Sequence, residues 1–186
     1  TPQKARHVIL LYKGIGPFSR AIRFRTRVLS WLPPEMDYSH VAWGTDRDTV
    51  IEAWPPEVRE VGFHDGHRPG TMVHQFSVAL SPDQEQRLEL CLRSQIGKDY
   101  DWLGILGFLT RDDLAQRNGK WFCSELIAYA FEAAGKPLLA RIRPHRMLPG
   151  MIALSPHLHY EGHRICGNKQ AAESTPLASG AALCTM

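Results

Sequence analysis

Residues 121–135, WFCSELIAYAFEAAG, form the most clearly defined helix that the sequence predicts, and they constrain the fold more than any other segment. Gly135 supplies a C-terminal stop signal, and Pro137 cannot continue the helix. Cys123 falls at the start of this helix, where unpaired backbone N–H groups and the positive end of the helix dipole favour an anion. We therefore expect a lowered thiol pKa at Cys123 and a reactive thiolate.

A thiol nucleophile needs an imidazole to accept its proton and a third group to orient that imidazole. His40 lies at the centre of the strand-like segment 38–44, YSHVAWG, and Glu52 interrupts the apolar segment 49–54, TVIEAW. The polar TDRD between them predicts a hairpin in which His40 is opposite Glu52 or one residue from it. On a shared face their Cβ atoms would be ~5 Å apart. Without Cys123, the same pair also fits a purely structural hydrogen bond.

The remaining patterns predict an α+β protein with a single catalytic domain over residues 1–166. Small and polar residues dominate from 167 to 186, so we expect a flexible C-terminal tail there. The other predicted elements are a strand at 7–12, a helix at 18–32, a strand at 71–80 and a helix that begins at Ser81 and ends at Gly97.

Composition excludes several classes of function. The net charge of the 186 residues is only +3, which does not predict nucleic-acid binding. No apolar run approaches the roughly 20 residues that span a bilayer, so we expect no stable membrane insertion. The chain has 4 cysteines without a C-x-x-C pair, which favours separate thiols in a reducing, cytoplasmic environment. Whether a leader precedes residue 1 stays open.

The order of YSHVAWG, VIEAW, GKDYDW and WFCSELIAYAFEAAG resembles the landmarks of the permuted papain-like (NlpC-like) cysteine hydrolases, the YiiX/YebB-like group. In that group the His-bearing strand precedes the Cys-bearing helix, and here SHV and FCSEL are about 80 residues apart. The resemblance spans about residues 7–135. It implies a small antiparallel, barrel-like sheet packed against helices, including the Cys-bearing helix, with Cys123 meeting His40 at the sheet edge. Ala42 and Trp43 depart from the usual glycine and aliphatic residue.

The resemblance implies catalytic roles for three residues: Cys123 as nucleophile, His40 as general base and Glu52 as the group that orients His40. Through a thioester intermediate, these residues would cleave an amide bond in a cell-wall-type peptide or a related amide. Two alternatives stay open. One is a lipid acyltransferase or thioesterase of the lecithin:retinol acyltransferase-like type, with the apolar 102–109 segment holding an acyl chain; the other is a non-catalytic ligand-binding member of the fold.

Three further residues are expected to bind the substrate, which would be a small peptide, amide or lipid-like molecule. Ser124 supplies a backbone N–H close to where an oxyanion would form. Tyr100, in KDYDW, matches a tyrosine common in the group and also fits a structural anchor. Tyr12, near the end of the first predicted strand, is a weaker candidate. The sequence does not predict an oligomeric state.

Two histidine clusters complete the candidates. His64, Asp65 and His67 lie in a Gly/Pro-rich connection, and HLHYEGH occupies residues 157–163. Neither cluster has a second half with recognisable ligand spacing. We therefore interpret both as surface histidines and predict no metal site and no cofactor.

Overall fold

The computed structural model describes residues 8–30, 32–46, 48–101 and 119–167. In these residues, six strands form one antiparallel sheet: β1 (Val8–Lys13), β2 (His40–Gly44), β3 (Thr49–Trp54), β4 (Glu57–Gly62), β5 (Met72–Val78) and β6 (Leu158–Ile165). Their spatial order is β4-β3-β2-β1-β5-β6, so β4 and β6 are the two edges. The predicted α+β class and antiparallel sheet are confirmed. The predicted barrel-like form is wrong, because the two edge strands do not pair with each other.

Within the described ranges, four α-helices accompany the sheet: α1 (Pro17–Ser30), α2 (Pro82–Arg93), α3 (Cys123–Ala133) and α4 (Pro149–Ile152). Helix α2 begins as predicted, with a capping box in which Ser81 and Gln84 satisfy each other's backbone N–H groups. It ends at Arg93, before Gly97. Helix α3 begins at Cys123 itself and stops just before Gly135, whose positive φ of 73° closes the helix.

The sheet separates two apolar clusters because successive side chains on a strand point to opposite faces. On one face, strand residues pack against α2 and α3, and Cys123 belongs to this larger cluster. On the other face lies a smaller cluster. The strand residues of the larger cluster are Ile9, Leu11, Val41, Trp43, Ile51, Ala53, Val58, Phe76, Val78 and Leu158; the core of the smaller one is Leu10, Tyr12, Ala42, Val50, Phe63, Val73 and Cys166.

Strands β4 and β6 could not be predicted from the sequence. Strand β4 directly follows Pro55 and Pro56 and mixes valines with charged residues, so its pattern is that of a loop. Strand β6 is an exposed edge whose one partner among the described strands is β5, and most of its side chains face solvent. The histidines at 159 and 163 lie on this strand and are exposed, as surface residues should be.

Several predictions fall outside the described residues. They concern the apolar 102–109 segment and nearly all of the 167–186 tail. Within the described ranges, no helix has the length and apolarity needed to cross a membrane. The three cysteines described there, at positions 91, 123 and 166, are free thiols.

Candidate active site

His40 and Glu52 form a buried hydrogen bond between β2 and β3. The distance from His40 Nε2 to Glu52 Oε2 is 2.7 Å, and the side chains are 5% and 0% exposed. The strand register, fixed by the Trp43–Ile51 pair, places both residues on the same face but two positions out of direct opposition. The two side chains therefore meet diagonally. The sequence predicts an offset of at most one residue, and the observed offset is two.

Three side chains converge on the Glu52 carboxylate. Oε1 accepts from Arg59 Nε at 3.0 Å and Nη2 at 2.7 Å. Oε2 accepts from His40 and also from His67 Nε2 at 3.0 Å. Burial alone would raise the pKa of Glu52, but the hydrogen bonds and charges of His40 and His67 outweigh burial and hold that pKa well below its usual range. Glu52 is therefore an ionised acceptor surrounded by donors.

His67, like Arg59, is a site residue that the sequence does not reveal. We predicted a surface histidine, but its side chain is only 4% exposed. The ring stacks on Tyr12 with a centroid distance of 4.2 Å and meets Trp54 edge-on at 4.6 Å. It lies in a Gly/Pro-rich connection without periodicity, so no local signal marks it. Only the folded chain brings it to Glu52.

The ionised acceptor fixes the tautomer of His40. Because a carboxylate can only accept, His40 Nε2 carries the hydrogen and Nδ1 keeps a lone pair. Burial lowers the pKa of His40, and the hydrogen bond to Glu52 only partly opposes that effect. The imidazole is consequently neutral near pH 7, with Nδ1 available to accept a proton.

Cys123 lies at the first position of α3, as predicted, but it is only 1% exposed. The backbone N–H groups of Val41 and Ser124 are directed at its sulfur. Burial raises the pKa of the Cys123 thiol to about 12, and those N–H groups only partly oppose the rise. The expected lowered pKa of Cys123 is therefore wrong. The helix start contributes in the predicted direction, but desolvation is the larger effect.

The backbone of Val41 links Cys123 to His40. Val41 follows His40 in the chain and directs its N–H at the sulfur, so the sulfur lies no more than roughly 6 Å from the His40 Cα. Among the described residues, the His40 ring makes no hydrogen bond to the sulfur. The predicted position at the sheet edge is wrong, because β2 is an interior strand flanked by β1 and β3.

The three predicted substrate-binding residues are all buried around this region. Burial is the main reason why the pKa of Tyr100 is raised, and the charge of a nearby Cys123 thiolate would raise it further. Ser124 donates its hydroxyl to the Met147 carbonyl. The Tyr12 ring lies 5.2 Å from the His40 ring, and within the described residues its hydroxyl has no hydrogen-bond partner.

The cluster around Glu52 also has the composition of a metal site. His40, Glu52 and His67 each offer one ligand atom, and these three atoms all lie within 4.8 Å of one another. Two imidazole nitrogens and a carboxylate oxygen form a donor set found in zinc sites with one open position. This set was not visible in the sequence, because its members are 12 and 15 residues apart.

The fold and site define an α+β protein with an open antiparallel sheet, in which a buried thiol at a helix start packs on one face and a buried His–Glu pair lies on the face of Tyr12. No family model matches the sequence, and no curated protein matches it. Among solved structures, the chain resembles that of the metalloprotein yiiX from Escherichia coli O157:H7, with a TM-score of 0.59 over 87% of this chain and 98% of that chain. The two sequences are 16% identical, so the likeness concerns the fold. It is compatible with the YiiX-like group that the motifs resemble.

The raised thiol pKa predicts how the alkylation of Cys123 depends on pH. The thiolate fraction grows as pH rises toward a pKa of about 12, so the iodoacetamide rate should rise about tenfold per unit between about pH 6 and pH 9. Peptide mapping of a Cys91→Ala chain would measure the rate at Cys123 without the half-buried Cys91. If the alkylation rate instead reached a plateau below about pH 7, Cys123 would already be a thiolate. That result would contradict the raised pKa of the buried thiol.

Proposed function

We propose that the chain is a thiol hydrolase that cleaves an amide bond, in a cell-wall-type peptide or a related amide, through Cys123, His40 and Glu52. The observation that carries the proposal is the 2.7 Å hydrogen bond from His40 Nε2 to Glu52. It leaves Nδ1 of a neutral imidazole as a proton acceptor, on the residue next to the backbone N–H that faces the Cys123 sulfur. The similarity to yiiX supports the fold on which this chemistry would depend.

The first step would form the tetrahedral intermediate that precedes the thioester. His40 Nδ1 takes the thiol proton while the Cys123 sulfur bonds to the substrate carbonyl carbon, whose π electrons move to oxygen. Proton transfer during attack suits a thiol that is neutral at rest. The backbone N–H groups at the start of α3, including that of Ser124 beside the sulfur, would stabilise the resulting oxyanion.

The second step would release the amine and then the acid. The His40 imidazolium returns its proton to the leaving nitrogen as the C–N bond breaks, which leaves a Cys123 thioester. Water, deprotonated by His40, then attacks the thioester and frees the thiol. Glu52 stabilises the imidazolium in both stages, and Arg59 and His67 keep its carboxylate ionised and in place.

A bound metal is the second candidate for this region, favoured by the ligand cluster and by the similarity to the metalloprotein yiiX. In this chain His40, Glu52 and His67 would hold the ion, and their nitrogen and oxygen donors fit a zinc-type ion. Such an ion would supply a Lewis acid. The hydrolase proposal does not require it, because the thiol and the imidazole alone complete the proton transfers.

A substrate panel tests the proposal. Fluorogenic peptide amides, with and without D-residues, would be compared with short-chain and long-chain acyl esters. Amide turnover that requires Cys123 supports the hydrolase. A preference of more than about tenfold for long-chain esters would favour lipid acyl transfer instead. No turnover of either class, together with an unacylated Cys123, would favour a non-catalytic binding protein.

A further inference from the structure

We propose that His40, Glu52 and His67 form a reversible binding site for a Zn²⁺-class divalent ion, and that the occupied site excludes thiol chemistry by reversing the tautomer of His40. The first half of the proposal rests on the ligand cluster alone. The second half rests on the proposed function, because it concerns the nitrogen that would accept the thiol proton.

The donor atoms already point at one another. Both histidine Nε2 atoms approach the same oxygen, Glu52 Oε2, at 2.7 and 3.0 Å. These are hydrogen-bond lengths, so in the metal-free state both imidazoles donate to one carboxylate oxygen. Zinc–ligand distances are about 2.0–2.2 Å, and small shifts of the two rings would place an ion between the three atoms. Two imidazoles and one carboxylate leave a fourth position open.

His40 cannot bind a metal through Nε2 and accept a proton at Nδ1 at the same time. A nitrogen that coordinates a metal cannot keep its hydrogen, so an ion on Nε2 leaves a neutral imidazole with its hydrogen on Nδ1. The proton moves from Nε2 to Nδ1 through solvent, without net release. His40 Nδ1–H then has no lone pair for the thiol proton, so the base step from Cys123 cannot occur while the ion is bound.

The surroundings favour reversible occupancy. Arg59 engages Oε1 at 3.0 and 2.7 Å, which leaves Oε2 as the ligand atom and orients the carboxylate. Its positive charge also opposes a second cation, so the affinity should be below that of a permanent structural site. His67 is held against Tyr12 by stacking at 4.2 Å, which presents Nε2 toward Glu52.

Binding would be measured by competition of the full chain with a chromophoric chelator for Zn²⁺. We expect one ion per chain, with affinity reduced at least about tenfold in His67→Gln. The matched control is His159→Gln, which removes an exposed histidine from β6 and should leave affinity unchanged. Cys123→Ala should also bind normally. No binding by the native chain, loss of binding in Cys123→Ala, or equal binding by His67→Gln would each overturn the site.

The tautomer would be read directly in the full-length Cys123→Ala chain by two-bond ¹H–¹⁵N correlation spectra of labelled histidines. Without metal, the His40 signal should have the Nε2–H pattern. With saturating Zn²⁺ it should change to the Nδ1–H pattern. A His40 spectrum that keeps the Nε2–H pattern when one ion is bound would overturn the exclusion.

Acylation of the native chain separates this inference from the proposed function. We expect saturating Zn²⁺ to lower the rate of Cys123 acylation by an activated ester at least about tenfold, and chelation to restore it. Unchanged acylation with the site filled would overturn the exclusion and leave the hydrolase proposal standing. If Cys123 were not acylated even without metal, the hydrolase proposal and the exclusion would fail together, while the chelator and tautomer measurements would still decide the metal site.

Discussion

Replacing Cys123 with alanine should reduce amide turnover by about 10⁴-fold or more, because no other atom in the site can form the thioester. The folded chain should survive the change, since only one buried sulfur is lost, and the free energy of unfolding should fall by about 1 kcal/mol. Initial rates and thermal unfolding of the purified variant measure both quantities.

Cys91→Ala is the matched control, because Cys91 is a half-buried free thiol on α2, away from the His–Glu pair. That variant should retain turnover within about twofold. Turnover that persists in Cys123→Ala would identify another nucleophile and would refute the assigned chemistry, provided that the rate scales with enzyme concentration.

Glu52→Ala should have the largest effect on stability. It would leave His40, His67 and Arg59 without the carboxylate on which all three converge. Removing one partner of a buried charged network costs about 3–5 kcal/mol, which corresponds to a decrease in Tm of about 10 °C for a chain of this size. The unfolding of the native and Glu52→Ala chains should be compared near pH 7, where the Glu52 carboxylate is ionised in both the folded and the unfolded native chain.

The control for this variant is Glu60→Ala, which removes an exposed carboxylate that pairs with Arg93 at 2.8 Å. Its loss should cost no more than about 1 kcal/mol. Glu52→Gln should be less destabilised than Glu52→Ala and should keep part of the activity, because the amide can still accept from His40. Equal unfolding midpoints for Glu52→Ala and Glu60→Ala would show that the buried network is not stabilising.

The elements with strong local signals could be predicted from the sequence. Helix α3 follows from its apolar run and from Gly135, and the start of α2 follows from Ser81 and Gln84. The hairpin that carries His40 and Glu52 follows from two apolar segments joined by a polar turn. In both hairpin strands a polar residue interrupts an apolar run, and this irregularity marks His40 and Glu52 as candidate functional residues.

The rest depends on tertiary contacts that no short pattern encodes. His67 has no periodicity around it, and its role depends on how the loop after β4 folds back onto Glu52. The Cys123 pKa had the wrong predicted direction because a helix start is visible in sequence, whereas complete burial of the sulfur is not. Strand β6 was not predicted because an exposed edge strand lacks an apolar face.

The transfer of the Cys123 proton to His40 is tested most directly by pre-steady-state acylation with an activated ester, followed by intact mass and peptide mapping. In His40→Ala the acylation rate constant of Cys123 should fall by about 10²-fold or more relative to the native chain, while alkylation of the half-buried Cys91 stays unchanged. Equal acylation rates at Cys123 in both chains would contradict His40 as the base.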